Sequence, residues 1–287
     1  MIRKVVITAA GLGTRLLPTT KELPKEMLPI YVRGAKGRPV LKPLLQALFE
    51  QLYSYGFREF CFVVGRGKRA IEDHFTPDWD FVEKLEKTGK TSQVTDLVNF
   101  YKMLEESITV WVTQPYPRGF GDAVRTARHF VADENFLLCA GDTYIVSRKN
   151  NFLQHLVSAE PKKRIAATLL IHEVEDPKQY GVVVGEHQSE NTYRVLKVVE
   201  KPKTPPSNLA IMPFYIFTSY IMYALDVTEP DSVGELQLTD AIQKIIDEKG
   251  EVTAIKLDRD EARLDIGTPD SYLYALQLSY KLATEPA

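Results

Sequence analysis

Residues 4–18, KVVITAAGLGTRLLP, decide how this chain is read. An apolar run, Val5 to Ala10, gives way at once to Gly11-Leu12-Gly13-Thr14-Arg15. That order predicts a buried strand, a glycine loop and then a helix. Glycines there let backbone N–H groups approach phosphate oxygens, with a helix dipole adding to the attraction. The loop is not a dinucleotide fingerprint: Leu16 replaces the third glycine, no acidic residue ends the second apolar run, and Arg15 puts a positive charge inside the turn. It is not a Walker A loop either, because no Gly-Lys-Ser/Thr follows. An arginine at that place suits a loop that must hold a polyphosphate on which chemistry happens. Just beyond, Pro24 and Pro29 bracket Lys25-Glu26-Met27-Leu28, which predicts a non-helical segment. Alone, Lys25 reads as a solvated loop lysine; beside the glycine loop it reads as a second phosphate clamp.

Outward from the loop, short apolar runs alternate with amphipathic stretches: Leu41 to Tyr55, Phe60 to Val64, Lys68 to Phe75, Ile108 to Gln114, Asp122 to Val131 and Phe136 to Ala140. The runs are near-continuous, as in strands covered on both faces, and the stretches between them have helical spacing. This predicts an α/β fold with a doubly wound, mostly parallel sheet. The charged insertion 78–106 carries apolar residues at three- and four-residue steps and predicts two outer helices. Their role is left open between a cover for the sheet, a subunit contact and a part in catalysis.

After residue 160 the texture changes to period-two segments: Ala166 to Val174, Gly181 to Gly185, Tyr193 to Val199 and Ile211 to Phe217. These predict antiparallel strands added to or beside the sheet as a second lobe. Helices are expected at Leu238 to Glu248 and Ser271 to Leu282, with a strand at Val252 to Leu257. Thr268 followed by Pro269 is a helix start.

Composition sets the outer bounds. With 36 Lys plus Arg against 38 Asp plus Glu the net charge is −2, so no general field draws the chain to nucleic acid. Cys61 and Cys139 sit inside apolar runs and predict buried thiols in a reducing, cytoplasmic setting. Gly11, Gly13 and Arg15 interrupt the amino-terminal apolar run before a signal-peptide core forms, so export is not expected. The uncharged stretch 209–225, LAIMPFYIFTSYIMYAL, holds Pro213 and three tyrosines and predicts a buried strand followed by a short helix, not a membrane span. The five histidines show no ligand spacing. The segment 29–43 adds several positive charges, read as a surface insertion in preference to a loop over the active site.

The stretch from Ala9 to Pro29 resembles the sugar nucleotidyltransferases, and within them the bacterial and archaeal uridylyltransferase branch that acts on glucose 1-phosphate. The resemblance continues through Gln114, Gly119-Phe120-Gly121-Asp122-Ala123, Gly141-Asp142, Tyr180-Gly181-Val182, Val199-Glu200-Lys201-Pro202, Ser207-Asn208-Leu209-Ala210, Glu235-Leu236-Gln237-Leu238-Thr239-Asp240 and Asp265-Ile266-Gly267. It spans about residues 4 to 275.

The resemblance implies a Rossmann-like, mostly parallel mixed sheet flanked by helices, with a smaller sugar-binding lobe. It divides the chain into a single unit 1–275, with a nucleotide-binding half 1–145 and a sugar-binding half 146–267, followed by a carboxyl-terminal helix 268–287 that is a candidate subunit contact. It implies attack by glucose 1-phosphate on the α-phosphorus of UTP, giving UDP-glucose and pyrophosphate with Mg²⁺, in a homo-oligomer (dimer or tetramer). Ala10, Gly11, Gly13, Thr14 and Arg15 match the triphosphate loop, and Lys25 a lysine at the reaction centre. Gln114 and Gly119 match the groups that meet the nucleobase. A Gln amide offers both donor and acceptor, and pairs with uracil or thymine. Gly181, Glu200 and Lys201 match the receptor for the sugar and its phosphate. Asp142 and Asp265 match the acids that hold Mg²⁺, with Asp240, Asp258 and Asp260 the nearest competitors by type; Asp122 receives no role. Another base or sugar, and a noncatalytic regulatory subunit, are the alternatives.

Overall fold

The computed structural model describes residues 2–147 and 149–285. The chain opens with β1 (Lys4–Ala9), a hairpin of β2 (Pro29–Arg33) and β3 (Pro39–Pro43), then α1 (Leu44–Tyr55), β4 (Glu59–Val64) and α2 (Arg69–His74). The insertion forms α3 (Trp79–Lys87) and α4 (Thr91–Glu105), followed by β5 (Ile108–Thr113), α5 (Phe120–Thr126), α6 (Arg128–Val131), β6 (Phe136–Ala140), β7 (Thr143–Val146) and α7 (Asn151–Ser158). The later part runs β8 (Ala166–Glu173), β9 (Gly181–Ser189), β10 (Thr192–Glu200), β11 (Leu209–Phe217), α8 (Tyr220–Asp226), α9 (Leu238–Asp247), β12 (Glu251–Lys256), β13 (Ala262–Asp265) and α10 (Pro269–Thr284).

Nine strands make one mixed sheet in the order β5-β4-β1-β6-β11-β8-β12-β10-β9. β5, β4, β1 and β6 are mutually parallel, and β12 is parallel to β8. β11 enters antiparallel between β6 and β8, with Tyr215 opposite Leu138 and Ile216 opposite Thr168. The later strands therefore extend the first sheet instead of building a detached one.

The near-continuous apolar runs follow from burial on both faces. Val5, Ile7, Phe60, Phe62, Leu137 and Cys139 pack on one side against α1, α2, α4 and α7. Val6, Cys61, Val63, Phe136 and Leu138 pack on the other against α5, α8 and α9. Both cysteines are free and buried, and burial pushes the Cys61 thiol up to about 12. The 78–106 insertion joins the helical layer on the first face: Phe100 of α4 meets Phe49 of α1 and Phe75 after α2 in edge-on contacts at 6.0 and 5.3 Å. Among the described residues no helix is long and apolar enough to cross a membrane, and 209–225 is β11 followed by α8.

Two local expectations fail at the amino end. No α-helix follows the glycine loop: three single 3-10 turns, Thr14–Leu16, Thr19–Lys21 and Lys25–Met27, lead straight to β2. Prolines at 18, 24 and 29 prevent a helical hydrogen-bond ladder from propagating through this segment. The stretch around Lys25 is thus one tight turn and not wholly non-helical. The basic segment 29–43 is the β2–β3 hairpin. It is held by Tyr272 donating to the Pro29 carbonyl at 3.1 Å and by the Tyr31 N–H donating to Ser279 at 3.2 Å. A third apolar cluster, with Leu16, Leu28, Ile30, Leu264, Ile266 and Ala275, joins the loop, this hairpin, β13 and α10. Thr268 caps α10 in a reciprocal pair with Ser271.

Phe49 is fully buried, with Phe60 and Phe75 rings at 4.8 and 5.6 Å. Phe49→Ala should cost about 3–5 kcal/mol in chemical denaturation, whereas truncating exposed Tyr116 should cost under about 0.5 kcal/mol.

Candidate active site

In an open sheet buried on both faces, polar chemistry collects at the strand ends. Here Ala9 aligns with Val64, Val64 with Thr113 and Thr8 with Ala140. The loops after β1, β5 and β6 therefore leave from one edge. From β1 the chain moves outward to β4 and β5 and then returns to the other side of β1 as β6, so the crevice lies between β1 and β6.

Two cavities open there, of about 470 Å³ and about 300 Å³, the size of small-molecule sites. The larger is lined by Ala10, Gly11, Gly13, Thr14, Arg15, Lys25, Gln114 and Gly119. The smaller is lined by Gly181, Glu200, Lys201, Arg263 and Asp265. Arg15, Phe120, Ala140, Asp142 and Glu235 line both. Every residue to which the resemblance assigns a role thus borders one of two joined cavities, while the competing acids Asp240, Asp258 and Asp260 border neither.

The first cavity sets two cations, Arg15 and Lys25, among three carboxylates, Glu26, Asp142 and Glu235. Gly13 takes φ +68°, left-handed, and a Cβ there would meet Thr20 at 3.2 Å, so any side chain would strain this turn. Thr20 secures it by donating to the Gly13 carbonyl at 2.7 Å. Lys25 passes beside Gly11 and forms an ion pair with Asp142, 117 residues away. Behind it, Glu26 pairs with Lys68 at 2.8 Å, with both side chains buried. Burial pushes the Glu26 carboxyl up, against the pull of Lys68 and Lys25. For Lys25, burial works to lower the pKa, but Asp142 and Glu26 outweigh it and hold it above the usual lysine value. For Asp142, burial works upward, and Lys25 and Arg263 outweigh it and hold the carboxyl below its usual range.

The second cavity is built on β9, β10 and β13. Lys201 takes φ +38°, a left-handed conformation that is strained for a residue with a side chain. Its Nζ lies 3.1 Å from Glu200 Oε1, and Thr239 donates to Glu200 Oε2 at 2.7 Å. A Cβ at Gly181 would come within 2.9 Å of Thr239 Oγ1, so glycine leaves room for this pair.

Sequence reasoning passed over several residues here. Glu235 is set between the cavities because the Leu236 N–H donates to the Arg118 carbonyl at 2.8 Å and the Leu236 carbonyl accepts from Gly121 at 2.9 Å. Arg263 donates to Asp265 Oδ1 at 2.9 Å and lies 5.2 Å from the Tyr180 ring, with its Nε buried and unpartnered. It stands two positions before Asp265 on β13 and so faces the same side, a relation that a four-residue strand does not announce in sequence. Asp122 accepts from Gln114 Nε2 at 2.8 Å.

The donor set suits a small divalent cation. Asp142 and Asp265 both line the smaller cavity, and among the described residues no three His, Cys, Asp or Glu side chains gather into a closed cage. A pair of acids completed by substrate oxygens and water is the arrangement Mg²⁺ favours.

A family model described as nucleotidyl transferase matches residues 4–281. The UTP–glucose-1-phosphate uridylyltransferase of Pseudomonas aeruginosa is 35% identical over 98% of this chain and 97% of its own length. That of Bacillus subtilis is 39% identical over 85% of this chain and 80% of its own. A UDP-glucose pyrophosphorylase solved with UDP-glucose superposes with a TM-score of 0.82 at 31% identity, covering 98% of this chain and 100% of that one. A UTP-bound enzyme from Acinetobacter baumannii gives 0.81 at 27% identity, covering 97% and 93%.

The Lys25–Asp142 pair carries a pH signature. Its stabilisation is complete between about pH 4 and about pH 10, the ordinary Asp and Lys values. It is lost as pH falls through the depressed Asp142 pKa and as pH rises through the raised Lys25 pKa. In denaturant titrations from acid to alkaline pH, the stability difference between wild type and Asp142→Asn should be largest inside that window and shrink outside it. A difference that ignores pH would deny the pair this role.

Proposed function

Because the chain belongs to the nucleotidyl transferase family, we propose that it transfers a uridylyl group from UTP to glucose 1-phosphate, yielding UDP-glucose and pyrophosphate. The observation that carries this reading is the meeting of two cavities at Arg15 and Asp142, which gives two substrates a shared boundary. In this reading the triphosphate lies along the Gly11–Arg15 loop with its base toward Gln114 and Gly119, and the sugar phosphate lies by Gly181, Glu200 and Lys201.

The nucleophile, a phosphate oxygen of glucose 1-phosphate, is already an anion, so the chain needs no general base. The oxygen bonds to the α-phosphorus of UTP while the bond to the bridging oxygen breaks, and pyrophosphate leaves with that electron pair. Two anionic substrates repel at close range. Arg15 and Lys25 on one side and Lys201 on the other offset that repulsion, and Arg15 answers the charge that develops on the leaving pyrophosphate. Glu200, held by Thr239 and Lys201, offers two carboxylate oxygens to sugar hydroxyls.

Enzymes of this family generally work with a divalent cation; in our reading it is Mg²⁺, held by Asp142 and Asp265. When bound it neutralises phosphate charge and aligns the reacting oxygens. We assign the chain to the cytoplasm as a homo-oligomer, with the exposed residues Leu273, Tyr274 and Tyr280 of α10 as candidate contacts. A second reading, dTTP in place of UTP, has specific support: the Gln114 amide can meet the same imide edge on thymine.

Purified protein incubated with UTP, glucose 1-phosphate and Mg²⁺ should release UDP-glucose and pyrophosphate; no UDP-glucose would sink the reading. Arg15→Ala and Lys25→Ala should each lower turnover roughly 10²–10³-fold with an unchanged circular dichroism spectrum. Near-normal turnover in either would remove that residue from the mechanism.

A further inference from the structure

Gln114 is buried at the end of β5, and its amide direction is fixed by neighbours outside the phosphate site. Nε2 donates to Asp122 Oδ2 at 2.8 Å and to the Gly119 carbonyl at 3.3 Å, which uses both amide hydrogens. Asp122, in the first turn of α5, has its other oxygen, Oδ1, bonded by Arg125 at 2.7 Å. Turning the Gln114 amide over would set its oxygen against a carboxylate and a carbonyl, with no proton between them. Only Oε1 remains for a ligand, and it can only accept.

The geometry points to Asp122 as the positioning residue for base choice: by fixing Gln114 with Oε1 available to the cavity, it selects a pyrimidine whose N3 carries a hydrogen. Uracil and thymine carry that imide N3–H, whereas cytosine N3 is an acceptor and meets Oε1 lone pair to lone pair. The inference rests on the reading that the base lies against Gln114.

Arg125 makes the idea testable through one atom. In Asp122→Asn only one side-chain oxygen remains, and Arg125, which has no acceptor of its own, draws that oxygen to itself. The new NH₂ then faces Gln114, which gives up its longer bond to the Gly119 carbonyl, turns over to accept from that NH₂ and presents Nε2 to the base. In Asp122→Asn/Arg125→Gln that pull is gone, and the introduced amide is free to turn its oxygen back to Gln114.

The measurement is kcat/KM for UTP and for CTP with glucose 1-phosphate, in wild type, D122N, R125Q and the double variant. The UTP:CTP ratio should fall about tenfold or more in D122N, the worth of one hydrogen bond. It should stay near the wild-type ratio in R125Q, where the carboxylate remains, and recover in part in the double variant. A merely structural role would lower both nucleotides together and leave the ratio unchanged in D122N, which overturns the inference. So does a double variant with the same ratio as D122N. A wild-type protein that makes no UDP-glucose overturns the functional reading instead, so the two failures are distinguishable.

Discussion

A sheet buried on both faces meets water only along its edges and ends. Here the faces are sealed by α1, α2, α4 and α7 on one side and by α5, α8 and α9 on the other. No polar group can be placed mid-strand without losing its hydrogen bonds to water, so the chemistry-bearing residues collect where β1, β5 and β6 end. The departure of β4 and β6 to opposite sides of β1 opens the crevice, and Lys25 and Asp142 span it. The cluster of Leu16, Leu28, Leu264 and Ile266 then holds the loop after β1 against β13. That apolar contact, made by residues with no chemistry of their own, helps bring Arg15 and Asp265 to one cavity.

Charge in the crevice is layered. The buried Lys68–Glu26 pair lies beneath Lys25. Removing one partner of such a pair leaves an unmatched buried charge, which is far more damaging than never having buried the pair. Its contribution is best understood as orientation: Glu26 adds negative potential under Lys25, while Asp142 holds the ammonium from the other strand. A net charge of −2 conceals this segregation, with Arg15, Lys25, Lys201 and Arg263 set among Asp142, Asp265, Glu200 and Glu235. Two anionic substrates need local positive charge, and a divalent cation needs local carboxylates; neither needs a net charge on the whole molecule.

The central strands, the helices that cover them and the glycine loop were legible because each is a local pattern. Val5 to Ala9, Phe60 to Val64 and Phe136 to Ala140 announce two-sided burial in their own residues. Less legible was anything stabilised across long sequence separation. β7 and β13 pair over four residues, Tyr144 opposite Leu264, and neither stretch is long enough to declare a period. The β2–β3 hairpin reads as a basic loop because its core contribution is mainly Ile30, covered from α10. The missing helix after the glycine loop was a wrong extrapolation from a familiar order, which the three prolines at 18, 24 and 29 override.

The sequence by itself determined which stretches are buried, where the chain turns, and to which family its motifs belong, since periodicity, proline and glycine placement and motif order are properties of a short stretch of chain. Tertiary structure alone decided that the later antiparallel strands continue the first sheet, that Glu235 stands between two cavities, and which end of the Gln114 amide is free. Those outcomes depend on the direction of hydrogen bonds from groups brought together by packing. A residue's identity gives its donors and acceptors, but only its neighbours decide which of them remain for a ligand.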